Sequence, residues 1–154
     1  MKNIPSKGLI KDIVIRFFIS FVCAAVLYML TVRVRLKDII PLVGNISLLS
    51  FYYGIIFSVF VVLALSLIIS RESQSWFGRF KKTRAYRELF LSFNIAFTIA
   101  VICIFVGTLS KFIGLEISRI SVYRLILSMN VFLILFGFLW ILRCFKLLMV
   151  VVRA

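Results

Sequence analysis

The side chains that could do chemistry are few: five acids, three cysteines and no histidine among 154 residues. Asp12, Asp38, Glu72, Glu88 and Glu116 lie in flanks and connections, and no paired-carboxylate or metal-ligand spacing joins them. Cys23, Cys103 and Cys144 have no metal-ligand spacing, and two sit inside apolar runs, where a thiol reads as a small structural group. No phosphate loop or nucleophile elbow occurs. The expectation is a protein that is not an enzyme and carries no cofactor or metal.

What does cluster is positive charge. "SRESQSWFGRFKKTRAYRELF", from Ser70 to Phe90, holds six of the nineteen cations, Arg71, Arg79, Lys81, Lys82, Arg84 and Arg87, against Glu72 and Glu88. Trp76, Phe77 and Phe80 are interleaved with them. Rings and cations together suit the headgroup region of a bilayer with anionic lipids. The same surface could dock an acidic cytosolic protein, so Arg79, Lys81, Lys82, Arg84, Arg87, Trp76 and Phe80 are the candidate contact residues.

The elements that must present this island are strongly apolar. The chain is 64% hydrophobic and 16% charged, well away from the usual balance of a soluble domain. Its net charge of +14 could serve nucleic acid, but the cations lie outside the apolar runs, as loop residues do. No direct nucleic-acid contact is expected. Four runs stand out: Phe17 to Val32 (reaching back past Arg16 toward Ile13), Ile46 to Ser70, Leu89 to Ser110, and Leu125 to Leu142. Each is near the ~20 residues that cross roughly 30 Å of hydrocarbon as a helix. Backbone groups in lipid must be satisfied internally, and the alternation of a membrane barrel is absent. The fold expected is all-α: residues 1–154 form one domain of four transmembrane helices, with a basic loop at 71–88. The first run continues past Cys23-Ala24-Ala25 into "VLYMLTV", longer than a signal-peptide core, so it reads as a retained helix.

The cations also set an orientation. The amino-terminal end, the 71–88 loop and the carboxyl end hold thirteen, against six in the 33–49 and 111–124 connections. Positive residues prefer the cytoplasmic side, so both termini and the loop are expected inside. The 33–49 connection, "RVRLKDIIPLVGNISLL", is then expected outside, with Pro41, Gly44 and Asn45 marking turns. Beyond Leu142, Arg143, Lys146 and Arg153 are expected at the headgroups.

Helix association in lipid relies on small residues that allow close approach. Ser50, Gly54, Ser58, Ser66 and Ser70 recur every four residues in the second run, broken at Val62; Ser92, Ala96, Ala100 and Thr108 do so in the third, broken at Ile104. The two stripes are expected to face one another, and they suit a homo-oligomer as well as a monomer. Asn94 and Asn130, the most polar side chains in the spans, are each expected to face protein or water rather than lipid. No ionisable group lies within the core runs, which speaks against a proton-coupled pump.

The basic start, the span "SFYYGIIFSVFVVLALSLIIS" and the loop "RFKKTRAYREL" leading into a third span give the chain a layout that resembles small four-helix membrane proteins of bacterial anti-phage systems. It is similar to the RexB-like membrane halves of phage-exclusion pairs and to KwaA, the membrane subunit of Kiwa systems. RexB-like proteins imply membrane depolarisation after a cytosolic sensor fires. Kiwa-like proteins imply an oligomeric unit of the bacterial inner membrane that detects infection and works with a cytosolic DNA-binding partner. Three functions follow as expectations: a sensor or scaffold that recruits a soluble partner; a pore lined by hydroxyls such as Ser50, Ser58, Ser66, Thr98 and Thr108; or an accessory subunit of another membrane complex.

Overall fold

The structure, a computed structural model, describes residues 7–70, 78, 81–113 and 120–153. Four helices occupy them: α1 (Lys7–Thr31), α2 (Leu36–Ser70), α3 (Arg84–Ile113) and α4 (Ile120–Arg153). All four are long and apolar enough to cross a membrane, and there is no strand among the described residues. The chain has the build of a multi-pass membrane protein.

Successive helices run antiparallel. Asp12 and Arg16 of α1 meet Arg143 and Leu139 of α4, while Arg124, near the start of α4, reaches Val32 and Val34 just past the end of α1. Ser92 and Ser110 of α3 meet Trp140 and Asn130 of α4. The start of α1, the α2–α3 turn and the end of α4 therefore share one end of the bundle, here called the basic end. The most extensive interface is between α2 and α3; α1 rests chiefly on α4 and is the least enclosed helix.

The first departure from the sequence reading is α2, which begins at Leu36 rather than near Ile46. Pro41, Gly44 and Asn45 form no turns; they lie within the first three turns of the helix. Only a short connection joins α1 to α2. It is closed by Val32 and Val34 donating to Met29 and Thr31, and by Asp38 and Ile39 donating to Arg35. Asp38 in the first turn favours the positive helix terminus. The physical reason for the helix is burial: Ile39 and Val43 pack with Tyr123 and Leu127 of α4, flanked by Leu36, Ile46 and Ile120. A continuous buried edge outweighs local turn preference. At 1.5 Å per residue α2 is about 52 Å long, well over the ~30 Å of a hydrocarbon core.

The second departure is the phase of the small-residue stripe. The buried edge of α2 runs Ile39, Val43, Ser47, Ser50, Gly54, Phe57, Val61, Ala64, Ile68, with steps of four and three alternating from Val43 onward as in a coiled-coil seam. A strict four-residue step overshoots a turn by about 40°, so Ser66 lies about 160° around the helix from Ser50. Ser58 is accordingly half-buried, and Ser66 and Ser70 are exposed. On α3, Ser92, Ala96 and Ala100 are buried with Cys103, Gly107 and Ser110, while Thr108 is exposed.

The two helices come into close backbone approach at a pair of glycines. A Cβ on Gly54 would lie 2.7 Å from the Ala100 carbonyl oxygen, and one on Gly107 would lie 2.7 Å from that of Ser47. Ser50 sits between them and donates to the Cys103 carbonyl at 3.4 Å. Apolar groups gain little by leaving lipid for protein, so backbone proximity and van der Waals contact carry this interface. The rest of the interior is filled by Phe57, Phe93, Trp140, Leu89 and Ile68.

Candidate interface at the basic end of the bundle

Thr83 prepares the start of α3: its hydroxyl oxygen accepts the Tyr86 amide at 3.3 Å, the bond an N-cap makes to an otherwise unpaired donor. This sets Arg84 as the opening residue of the helix. Lys81 and Lys82 lie in the preceding turn and Arg87 in the first turn of α3, and all three are exposed. Lys11 of α1 and Lys146 of α4 are exposed at the same end. Trp76, Arg79 and Phe80 lie outside the described residues. The fold thus brings cations from three separate stretches of chain onto one end of the molecule. Of the described acids there, Asp12 and Glu88 are both half-buried.

Behind that surface is a polar cluster that sequence reasoning did not assemble. Arg143, expected at the headgroups, is 8% exposed and pairs with Asp12 across the α1–α4 interface. Its guanidinium carbon stands 5.6 Å from the Trp140 ring centroid, within cation–π range. Arg16 donates through Nη1 to the Leu139 carbonyl. Trp140 is fully buried and donates Nε1–H to the Ser92 carbonyl at 2.9 Å, while Cys144 Sγ lies 3.6 Å from the same oxygen. Ser92 therefore works through its backbone; its own hydroxyl is enclosed without a partner. Below the cluster, Phe17 packs edge-on against Phe132 at 5.2 Å between centroids, and Phe132 stacks on Phe136. Only the i, i+4 spacing of Asp12 and Arg16 was visible in the sequence; their partners are more than 120 residues away.

The other predicted packing residues fall into two groups. Ser50, Gly54, Ala96, Ala100 and Asn130 are buried in the bundle. The Asn130 amide donates to Ser110 Oγ at 3.0 Å and to the Ile126 carbonyl at 2.9 Å, tying α4 to α3. Asn94, in contrast, is exposed on the outer face of α3, between the seam positions Phe93 and Ala96. Within a single chain it faces away from protein, which leaves water or another copy as the setting expected for its amide. Thr98 bonds its carbonyl at 3.0 Å, a contact within the helix.

At the opposite end Arg124 donates through Nη2 to the carbonyls of Val32 at 2.7 Å and Val34 at 3.3 Å, satisfying acceptors left by the end of α1. Among the described residues no three His, Cys, Asp or Glu side chains gather to hold a metal ion. No family model matches this chain, nor does any curated protein or solved structure.

Proposed function

We propose that this chain is a non-catalytic membrane subunit that anchors an acidic soluble protein through its basic end. That end faces the cytoplasm, with both termini inside, in the inner membrane of a bacterium. The observation that carries the reading is the convergence of exposed Lys11, Lys81, Lys82, Arg87 and Lys146 at one end of the bundle. A steering field of one sign raises encounter rates with an oppositely charged partner. The layout resemblance to anti-phage tetraspan proteins supplies the process: sensing infection at the membrane and passing the signal to the anchored partner.

Charge reversal at Lys81, Lys82 and Arg84 is the test. In cells carrying the intact locus, the triple variant should insert normally, lose its co-purifying soluble protein, and lose protection against phage in a plaque assay. Unchanged co-purification and protection would refute the reading.

The pore alternative gains less from the geometry. Ser58, Ser66, Thr98 and Thr108 each donate to a carbonyl four residues earlier on their own helix. Ser66, Thr98 and Thr108 also lie on the outer surface. Large side chains fill the centre of the single bundle, so a RexB-like conducting path would have to run between copies.

A further inference from the structure

We propose that Arg16 and Arg143 together bind the phosphate of an anionic phospholipid at the basic end of the α1–α4 interface. The first argument is depth. Arg16 immediately precedes the apolar run of α1 and Arg143 immediately follows that of α4. From Arg124 to Arg143 is about 28 Å along the axis, close to the thickness of a hydrocarbon core, and Arg16, bonded to Leu139 one turn before Arg143, lies near the same level. The two guanidiniums therefore sit where acyl chains give way to phosphates, on whichever leaflet the basic end faces.

The second argument is charge. Two arginines and one aspartate form the cluster, leaving one positive charge, the complement of one phosphodiester. Asp12 is taken up by Arg143, so it does not cancel Arg16 as well.

The third argument is unused donors. Each guanidinium bonds within the chain through Nη1 alone, to Leu139 O and to Asp12 Oδ2, and each Nε is enclosed without a partner. The Nη2 groups are not enclosed. A guanidinium held this way is oriented by protein and still has N–H groups to offer, the geometry in which arginine recognises phosphate. Basic recesses between transmembrane helices at this depth are known hosts for lipid headgroups.

The proposal rests on α1 and α4 crossing the bilayer and not on any soluble partner, so failure of the charge-reversal test above leaves it standing. It is tested by native mass spectrometry and lipid exchange on the full chain in nanodiscs of phosphatidylglycerol or phosphatidylcholine. The wild-type chain should retain one phosphatidylglycerol in preference to phosphatidylcholine. Arg16→Gln should weaken that retention about tenfold, the worth of one charge-assisted hydrogen bond, while Arg16→Lys should keep most of it. Lys81→Gln/Lys82→Gln should leave it unchanged. Asp12→Asn, which adds a positive charge without removing a donor, should hold the lipid at least as tightly and decides the matter if Arg16→Gln does not fold. Equal retention by wild type and Arg16→Gln, loosening by Asp12→Asn, or displacement of the lipid by millimolar inorganic phosphate would overturn the proposal.

Discussion

Replacing Gly54 by alanine probes the α2–α3 crossing directly. The new methyl carbon would stand 2.7 Å from the Ala100 carbonyl oxygen and 3.0 Å from the Ile104 amide nitrogen. Both are backbone atoms that no rotamer change can remove. Ordinary contact begins near 3.4 Å, so the helices must separate by about 0.7 Å, loosening the close contact that lipid cannot replace. Overpacking of this kind costs about 1–3 kcal/mol, offset by up to about 1 kcal/mol from alanine's better helix propensity. The net expectation is a loss of about 1–2 kcal/mol. Gly107→Ala meets the Ser47 carbonyl and the Phe51 amide at the same crossing. One separation of the helices relieves both clashes, so the double variant should lose less than the sum of the singles. Gly44→Ala is the control: nothing lies within 4 Å of the added carbon, so it should stabilise the helix by up to about 1 kcal/mol. Unfolding in mixed micelles with rising SDS, followed by the emission of buried Trp140 in a Trp76→Phe background, reads the four variants against wild type. Gly54→Ala as stable as wild type, or Gly44→Ala as damaging as Gly54→Ala, would refute the assigned crossing.

Further outcomes follow from the same contacts. Trp140→Phe keeps most of the ring packing but removes the indole N–H that the Ser92 carbonyl accepts, leaving that oxygen the Cys144 thiol. It should cost about 0.5–1.5 kcal/mol in the same unfolding followed by circular dichroism. A double-mutant cycle between Asn130→Ala and Ser110→Ala should show coupling of about 0.6–1 kcal/mol, the range for hydrogen bonds between membrane helices; additive losses would separate the two residues. Asp12→Asn leaves Arg143 without its counter-charge. Because the Asp12 side chain is 45% exposed, screening limits the loss to about 1–2 kcal/mol, and the exchange Asp12→Arg with Arg143→Asp should recover most of it.

The four spans were legible because unbroken apolar runs of membrane length have few other uses, and the structure supplies a helix for each. What escaped was phase and long-range pairing. A ladder of small residues four apart looks continuous on paper, yet Ser66 and Thr108 turn outward because an α-helix does not close in four residues. Pro41, Gly44 and Asn45 read as turn residues because their neighbours Ile39 and Val43 do not look like a seam until α4 is laid beside them. Gly107 belonged to the close approach as much as Gly54 did, and could have been found by stepping three and four from Ala100 instead of four alone. Arg16, Asp12 and Arg143 form a cluster only because α1 and α4, at opposite ends of the chain, lie side by side. No local pattern carries that information. Asn94 shows the converse: an amide in an apolar run invites burial, but its position on α3 falls outside the seam.

The account depends most on the basic end lying in the cytoplasm with four crossings of the membrane. Single cysteines placed at Lys81 and at Arg35 in a chain lacking Cys23, Cys103 and Cys144, probed with a membrane-impermeant maleimide, test this directly. Lys81→Cys should react only in inverted vesicles and Arg35→Cys only in intact spheroplasts. Labelling of both from the same side, or Lys81→Cys reacting in intact spheroplasts, would contradict it.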